Sequence, residues 1–97
     1  MKTILVFHET ENGDHWANAW HHGEGGRHKM FEKIGVKVRT FRDPNNPDST
    51  GALIEVPDMK TFEEFRALLD SEEGRKAIAE DGLKVETMRV LEEFTTE

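Results

Sequence analysis

The chain has 97 residues, enough for one domain (1–97) with a single core, but folding would bury only about 60–65% of its unfolded surface, so a partner subunit would help. Thirteen Lys and Arg against twenty Asp and Glu leave a formal net charge of −7, and no basic run offsets it, which argues against nucleic acid or an anionic membrane as a partner. There is no cysteine, so disulfides and thiolate chemistry are excluded.

Met1 to His8 holds an apolar run too short for a signal-peptide core or a membrane span, and a cytoplasmic location is expected. Thr3 to His8 reads as a strand apolar on both faces, with Ile4, Val6 and His8 on one side and Leu5 and Phe7 on the other. Asp14 is the expected N-cap of a helix carrying His15, Trp16, Ala19, Trp20 and His22. Gly23-Glu24-Gly25-Gly26 breaks it, and a short helix from Arg27 to Lys33 turns Met30, Phe31 and Ile34 inward before Gly35 closes it.

Val36 to Arg42 and Ala52 to Val56 then form a hairpin around the turn formers Asp43-Pro44-Asn45-Asn46-Pro47-Asp48. A midpoint near Pro47 would place Arg39 opposite Glu55, Phe41 opposite Leu53 and Val38 opposite Val56, with Arg39 and Glu55 as a structural cross-strand pair. Thr61-Phe62-Glu63-Glu64 is a capping box ahead of Phe62, Phe65, Leu68 and Leu69 at helical spacing. Ser71 can cap a second short helix that ends at Gly82, and Leu83 to Phe94 supplies the last strand. Glu92, Glu93 and Glu97 read as a solvated acidic tail.

The order is βαββαβ, an α+β ferredoxin-like fold in which both helical segments cover one face of a four-stranded antiparallel sheet and the first and third strands are central. The covered face is assigned Ile4, Val6, Val36, Val38, Ile54, Val56 and Val85; Leu5, Phe7, Phe41, Leu53, Met88 and Val90 fall on the open face. That much uncovered apolar surface predicts a homodimer whose sheets meet through Phe7, Phe41, Leu53 and Met88.

Trp16 in the first helix, Arg27 ahead of Gly35-Val36, the Asp43 to Pro47 turn, Glu55-Val56-Pro57-Asp58, the Phe62 to Leu69 helix and Asp81-Gly82-Leu83 together resemble the dimeric α+β barrel superfamily, in particular its antibiotic-biosynthesis-monooxygenase-like members. The resemblance spans nearly the whole chain. It implies a dimeric barrel with a ligand pocket between sheet and helices, in a superfamily of cofactor-independent monooxygenases, haem-degrading enzymes, isomerases and cyclases.

Five histidines, His8, His15, His21, His22 and His28, fall in the first third of the chain. They lack a His-x-x-x-His spacing or a nearby carboxylate cluster, so neither a metal nor a bound cofactor is expected, with haem binding as a lesser alternative. His8 ends a central strand on the helix-covered face, where a neutral imidazole can donate or accept a proton, and it is the candidate catalytic residue. Trp16 and Trp20, four apart, form an aromatic stripe beside the glycine break and can line a cleft for a flat ligand. His22, Thr40, Arg42 and Arg89 complete the candidate ligand contacts, Thr40, Arg42 and Arg89 being assigned to the same sheet face as His8. Two readings are open: a small enzyme acting on an apolar, oxygenated small molecule, and a non-catalytic dimer that binds a ligand or only assembles. A deep cavity bounded by Trp16, Trp20 and His8 would favour the first, and a filled helix-sheet interface the second.

Overall fold

The computed structural model describes residues 2–94, so Glu97 of the acidic tail lies outside them. Eight elements follow in order: β1 (Lys2–Thr10), α1 (Gly13–Ala19), α2 (Arg27–Glu32), β2 (Lys37–Asp43), β3 (Asn46–Val56), α3 (Met59–Asp70), α4 (Glu72–Glu80) and β4 (Leu83–Glu92). Each helical segment is thus two short helices, divided by the glycine run in the first half and by Ser71 in the second. The strands form one antiparallel sheet in the order β2-β3-β1-β4, with β1 and β3 central as expected.

Alternation along the two central strands builds the core. Ile4 stands opposite Ile54 and Val6 opposite Ala52, and all four are buried on the helix-covered face with Val36, Val56, Phe31 and Phe65. Gly35 takes φ +81°, a conformation that side chains resist, and so ends the α2 segment where the sequence places its stop. Ser71 caps α4 by accepting a hydrogen bond from the Gly74 N–H. Two other caps differ from expectation. Asn12, not Asp14, caps α1, accepting from the Asp14 and His15 N–H groups, and Asp58, not Thr61, caps α3, accepting from the Thr61 N–H at 2.7 Å. In both cases a capable side chain lies two or three residues upstream and captures the free amides first.

The hairpin register is shifted by two. Lys37, not Arg39, faces Glu55, while Arg39 faces Leu53 and Phe41 faces Gly51. The chain reverses at Pro44-Asn45, where the Asp43 carboxylate accepts from the Asn45 N–H, and Pro47, Asp48 and Ser49 bulge out of β3 with no partners on β2. An even shift keeps every side chain on its expected face, so the core assignment of β2 and β3 survives.

On β4 the faces are exchanged. Thr87 accepts a hydrogen bond from the Glu9 N–H and donates to the Lys84 carbonyl, and Val85 to Met88 lie in a bulge between the Lys84–Glu9 and Arg89–Phe7 pairs, so Val85 is 60% exposed instead of buried. Beyond the bulge Arg89 pairs with Phe7 and Val90 with Val6. Val90 therefore lies on the helix-covered side, and Met88 packs against the core instead of belonging to the open face.

The β3 bulge is the seat of α1. The Gly13 N–H donates to the Asp48 carboxylate at 2.8 Å, the Thr10 hydroxyl donates to the Asp48 carbonyl, and Arg42 bridges from the Pro47 carbonyl to Asp14. A Cβ at position 13 would stand 1.9 Å from the Pro47 carbonyl oxygen, so only glycine lets the helix sit this close. Gly13→Ala should therefore displace α1 and cost about 1–3 kcal/mol by overpacking. Urea unfolding with near-ultraviolet circular dichroism checks this: the variant should lose both stability and tryptophan ellipticity, and unchanged curves would contradict the seat.

Candidate functional site

Seating α1 on the bulge aims its first aromatic residue at the sheet. Trp16 is 1% exposed and meets the buried His8 ring edge to face, with centroids 5.5 Å apart and planes at 71°. Trp20 follows one turn later, 6.3 Å from Trp16, and stacks on Phe31 of α2 at 5.5 Å. Phe31 in turn touches Phe65 of α3 at 5.6 Å. The Trp20 ring also meets His28 at 5.1 Å, and His28 lies flat against His22 at 4.0 Å with planes 8° apart. The result is a continuous aromatic row from His8 to the glycine loop.

Two features of this row are costly in a purely structural layer. The indole N–H groups of Trp16 and Trp20 are both buried and have no hydrogen-bond partner among the described residues. Each such orphan donor costs about 1–3 kcal/mol, against a total stability of about 5–15 kcal/mol for a domain of this size. His8 is the second feature. Burial pushes its pKa below the ordinary histidine value, so near pH 7 the ring is neutral and able to exchange a proton. His28 is lowered too, first by burial and then by the adjacent His22, with partial opposition from Glu32 and a hydrogen bond to the Val38 backbone.

The candidate residues are only partly brought together. His8, Trp16, Trp20 and His22 lie along the row. Thr40 is on the same sheet face, opposite Ala52 and one rung from the His8 pair. Arg42 shares that face, but its guanidinium is engaged by Asp14 at 2.9 Å and by the Pro47 carbonyl at 3.2 Å. Arg89 is not with them: the β4 register puts it opposite Phe7 on the open face. Of the other histidines, His15 contacts the Glu80 carbonyl at 2.6 Å and His21 accepts from the Gly23 N–H. Among the described residues no three His, Asp or Glu side chains converge as a metal-binding group.

Three contributors escaped sequence reasoning. Thr50 lies opposite His8 and touches its ring at 2.6 Å, but the strand was expected to begin at Ala52. His28 is buried, as its position three residues before Phe31 on one helix would have indicated. Arg27 makes a two-point contact with the buried Asp81, Nε to Oδ2 at 3.0 Å and Nη2 to Oδ1 at 2.9 Å, and so ties the start of α2 to the turn after α4. Hydrogen bonding to Asp81 raises the Arg27 pKa, and the tie holds the segment that carries His28 and Phe31.

The sequence matches no protein-family profile and no curated protein. The fold, however, is shared with a solved structure, the crystal structure of an antibiotic biosynthesis monooxygenase, over 100% of both chains with a TM-score of 0.66 at 9% sequence identity. At that identity the likeness shows the ferredoxin-like α+β fold.

The two lowered histidines contribute to the response to acid. Between the ordinary value of 6.5 and their depressed folded values, the unfolded chain binds protons that the native chain does not, so stability rises with pH in that window. Unfolding free energies from urea titrations should therefore hold above pH 6.5 and fall as the pH is taken below it. Replacing both His8 and His28 by Gln should flatten that slope, and an equally steep fall in the double variant would contradict the assignment.

Proposed function

We propose that this chain handles a small, largely apolar, oxygen-bearing molecule between its sheet and its helices, as an enzyme of the cofactor-independent monooxygenase, isomerase or cyclase kind, with His8 as the proton-transferring group. The observation that carries the reading is the pair of buried indole N–H groups with no partner, beside a buried neutral imidazole. A ligand oxygen is the acceptor these donors lack. The fold shared with an antibiotic biosynthesis monooxygenase supports an enzyme of that kind. A second reading, a non-catalytic dimer, is favoured by the tight edge-to-face packing of Trp16 and by the two grooves of the described residues, one on the open face and one beside Lys2 and Met59, neither of which His8, Trp16 or Trp20 lines.

Two variants separate these readings. Trp16→Phe and Trp20→Phe keep a ring but delete the orphan donor, so the loss in apparent stability should be well below the roughly 3–5 kcal/mol of a full core truncation. Thermal shift with a panel of planar phenols and aromatic ketones should stabilise the native chain, by about 2.7 kcal/mol at a hundredfold excess over Kd, and this response should vanish in both variants. Core-sized losses with no ligand response in any form would leave the non-catalytic reading.

The same proposal includes a second copy on the open face. Phe7 and Phe41 are 45% and 46% exposed and flank Gly51, above a groove of about 390 Å³ that Leu5 and Leu53 also line. Leu91 extends the apolar surface across β1. A two-fold partner offers the matching apolar surface for this face. Light scattering at micromolar concentration should give twice the chain mass, and Phe41→Glu should halve it by burying an unpaired charge. A native mass equal to one chain would contradict the dimer.

A further inference from the structure

The hydroxyl of Thr50 makes two contacts with the residue opposite it on β1, at 2.9 Å to the His8 carbonyl oxygen and 2.6 Å to His8 Nδ1. A hydroxyl has one proton and a carbonyl oxygen can only accept, so both contacts are hydrogen bonds only when the Thr50 proton goes to the backbone carbonyl. The 2.6 Å contact is then satisfied only if Nδ1 carries a hydrogen and donates it to Thr50 Oγ1. The neutral ring is left with its lone pair on Nε2, which fixes the direction in which it can work. Both residues are buried, so water competes little for either contact.

We infer that Thr50 is a positioning residue that holds His8 as the Nδ1–H tautomer, making Nε2 the base of the site and its ligand a proton donor whose conjugate base carries charge on oxygen. The ligand class rests on the proposed function, whereas the tautomer stands on the geometry alone. In the step implied, the bond between the ligand and its acidic hydrogen breaks and the electron pair stays on the ligand. The proton forms a new bond to Nε2, and the imidazolium keeps donating from Nδ1 to Thr50. The ligand's oxygen, now negative, accepts from an indole N–H. No oxidant or reductant enters this step. Position 50 therefore needs a hydroxyl: serine preserves the arrangement, and valine, close in shape, removes both the donor to the carbonyl and the acceptor for Nδ1–H.

The test is nitrogen-15 NMR of the imidazoles in the full labelled chain at pH 7.5, with no ligand present. Native His8 should show a protonated Nδ1 and an unprotonated Nε2. Thr50→Ser should retain that pattern, and Thr50→Val should convert His8 mainly to the Nε2–H form with the amide spectrum otherwise preserved. An Nε2–H tautomer in the native chain overturns the inference without recourse to any variant, as does a folded valine variant with the native pattern. The base role is read separately by thermal shift with 4-nitrophenol and 4-nitroanisole. Stabilisation by the phenol alone, reduced in Thr50→Val, supports it; equal stabilisation by the ether overturns it. Stabilisation by neither, with the native tautomer as stated, removes the base role and the ligand-handling reading while leaving Thr50 as the determinant of the tautomer.

Discussion

The pairing of β1 with β3 is the constraint on which the rest of the molecule depends. On the face toward the helices the rungs run Ile4 with Ile54, Val6 with Ala52, and His8 with Thr50. The first two rungs form the floor of the core, and the third, by the same period of two, delivers a polar pair into the same enclosed layer. A slip of one residue would place His8 in solvent and Phe7 in the core, so the core and the candidate site cannot be separated. The polar rung is tolerated because Thr50 satisfies the imidazole locally, at 2.6 Å.

The second dependence runs through the bulge in β3. Its unpaired residues offer the Pro47 carbonyl and the Asp48 carboxylate to α1, a helix of only seven residues that is too short to persist without tertiary contacts. Fixing Gly13 there fixes Trp16 over His8, and Trp20 then reaches the α2 residues that the Arg27 and Asp81 pair holds in place. The aromatic row is thus held at both ends by polar contacts outside it. Among the described residues its own unsatisfied groups are the two indole N–H donors. Local features that lower stability without contributing to the fold are expected where binding or chemistry is done.

Much of this was legible in the sequence. The strand positions, the glycine stops, the central place of β1 and β3 and the burial of Ile4, Val6, His8 and Trp16 follow from periodicity and from residues with narrow backbone preferences. What failed did so for local reasons. Bulges at Pro47 to Ser49 and at Val85 to Met88 add residues that alternation cannot count, so the hairpin register moved by two and the faces of β4 were exchanged, taking Val85 out of the core and Arg89 away from His8. Thr50 was hidden by the same bulge, because a segment dense in Pro, Asn and Asp reads as loop even where the strand has resumed. The partnerless indoles could not be foreseen, since whether a tryptophan N–H finds an acceptor depends on side chains brought close only by the fold.

In the proposed function a ligand oxygen reaches the indole N–H groups of Trp16 and Trp20, which have no partner among the described residues. Proton–nitrogen correlation spectra of the two indoles, recorded during titration with 4-nitrophenol, read this directly. The account predicts that at least one indole N–H resonance moves downfield with saturation as the new hydrogen bond forms, while residues of the open face do not respond. Saturable shifts confined to Phe7, Phe41 and their neighbours, with both indole signals unmoved, would contradict it.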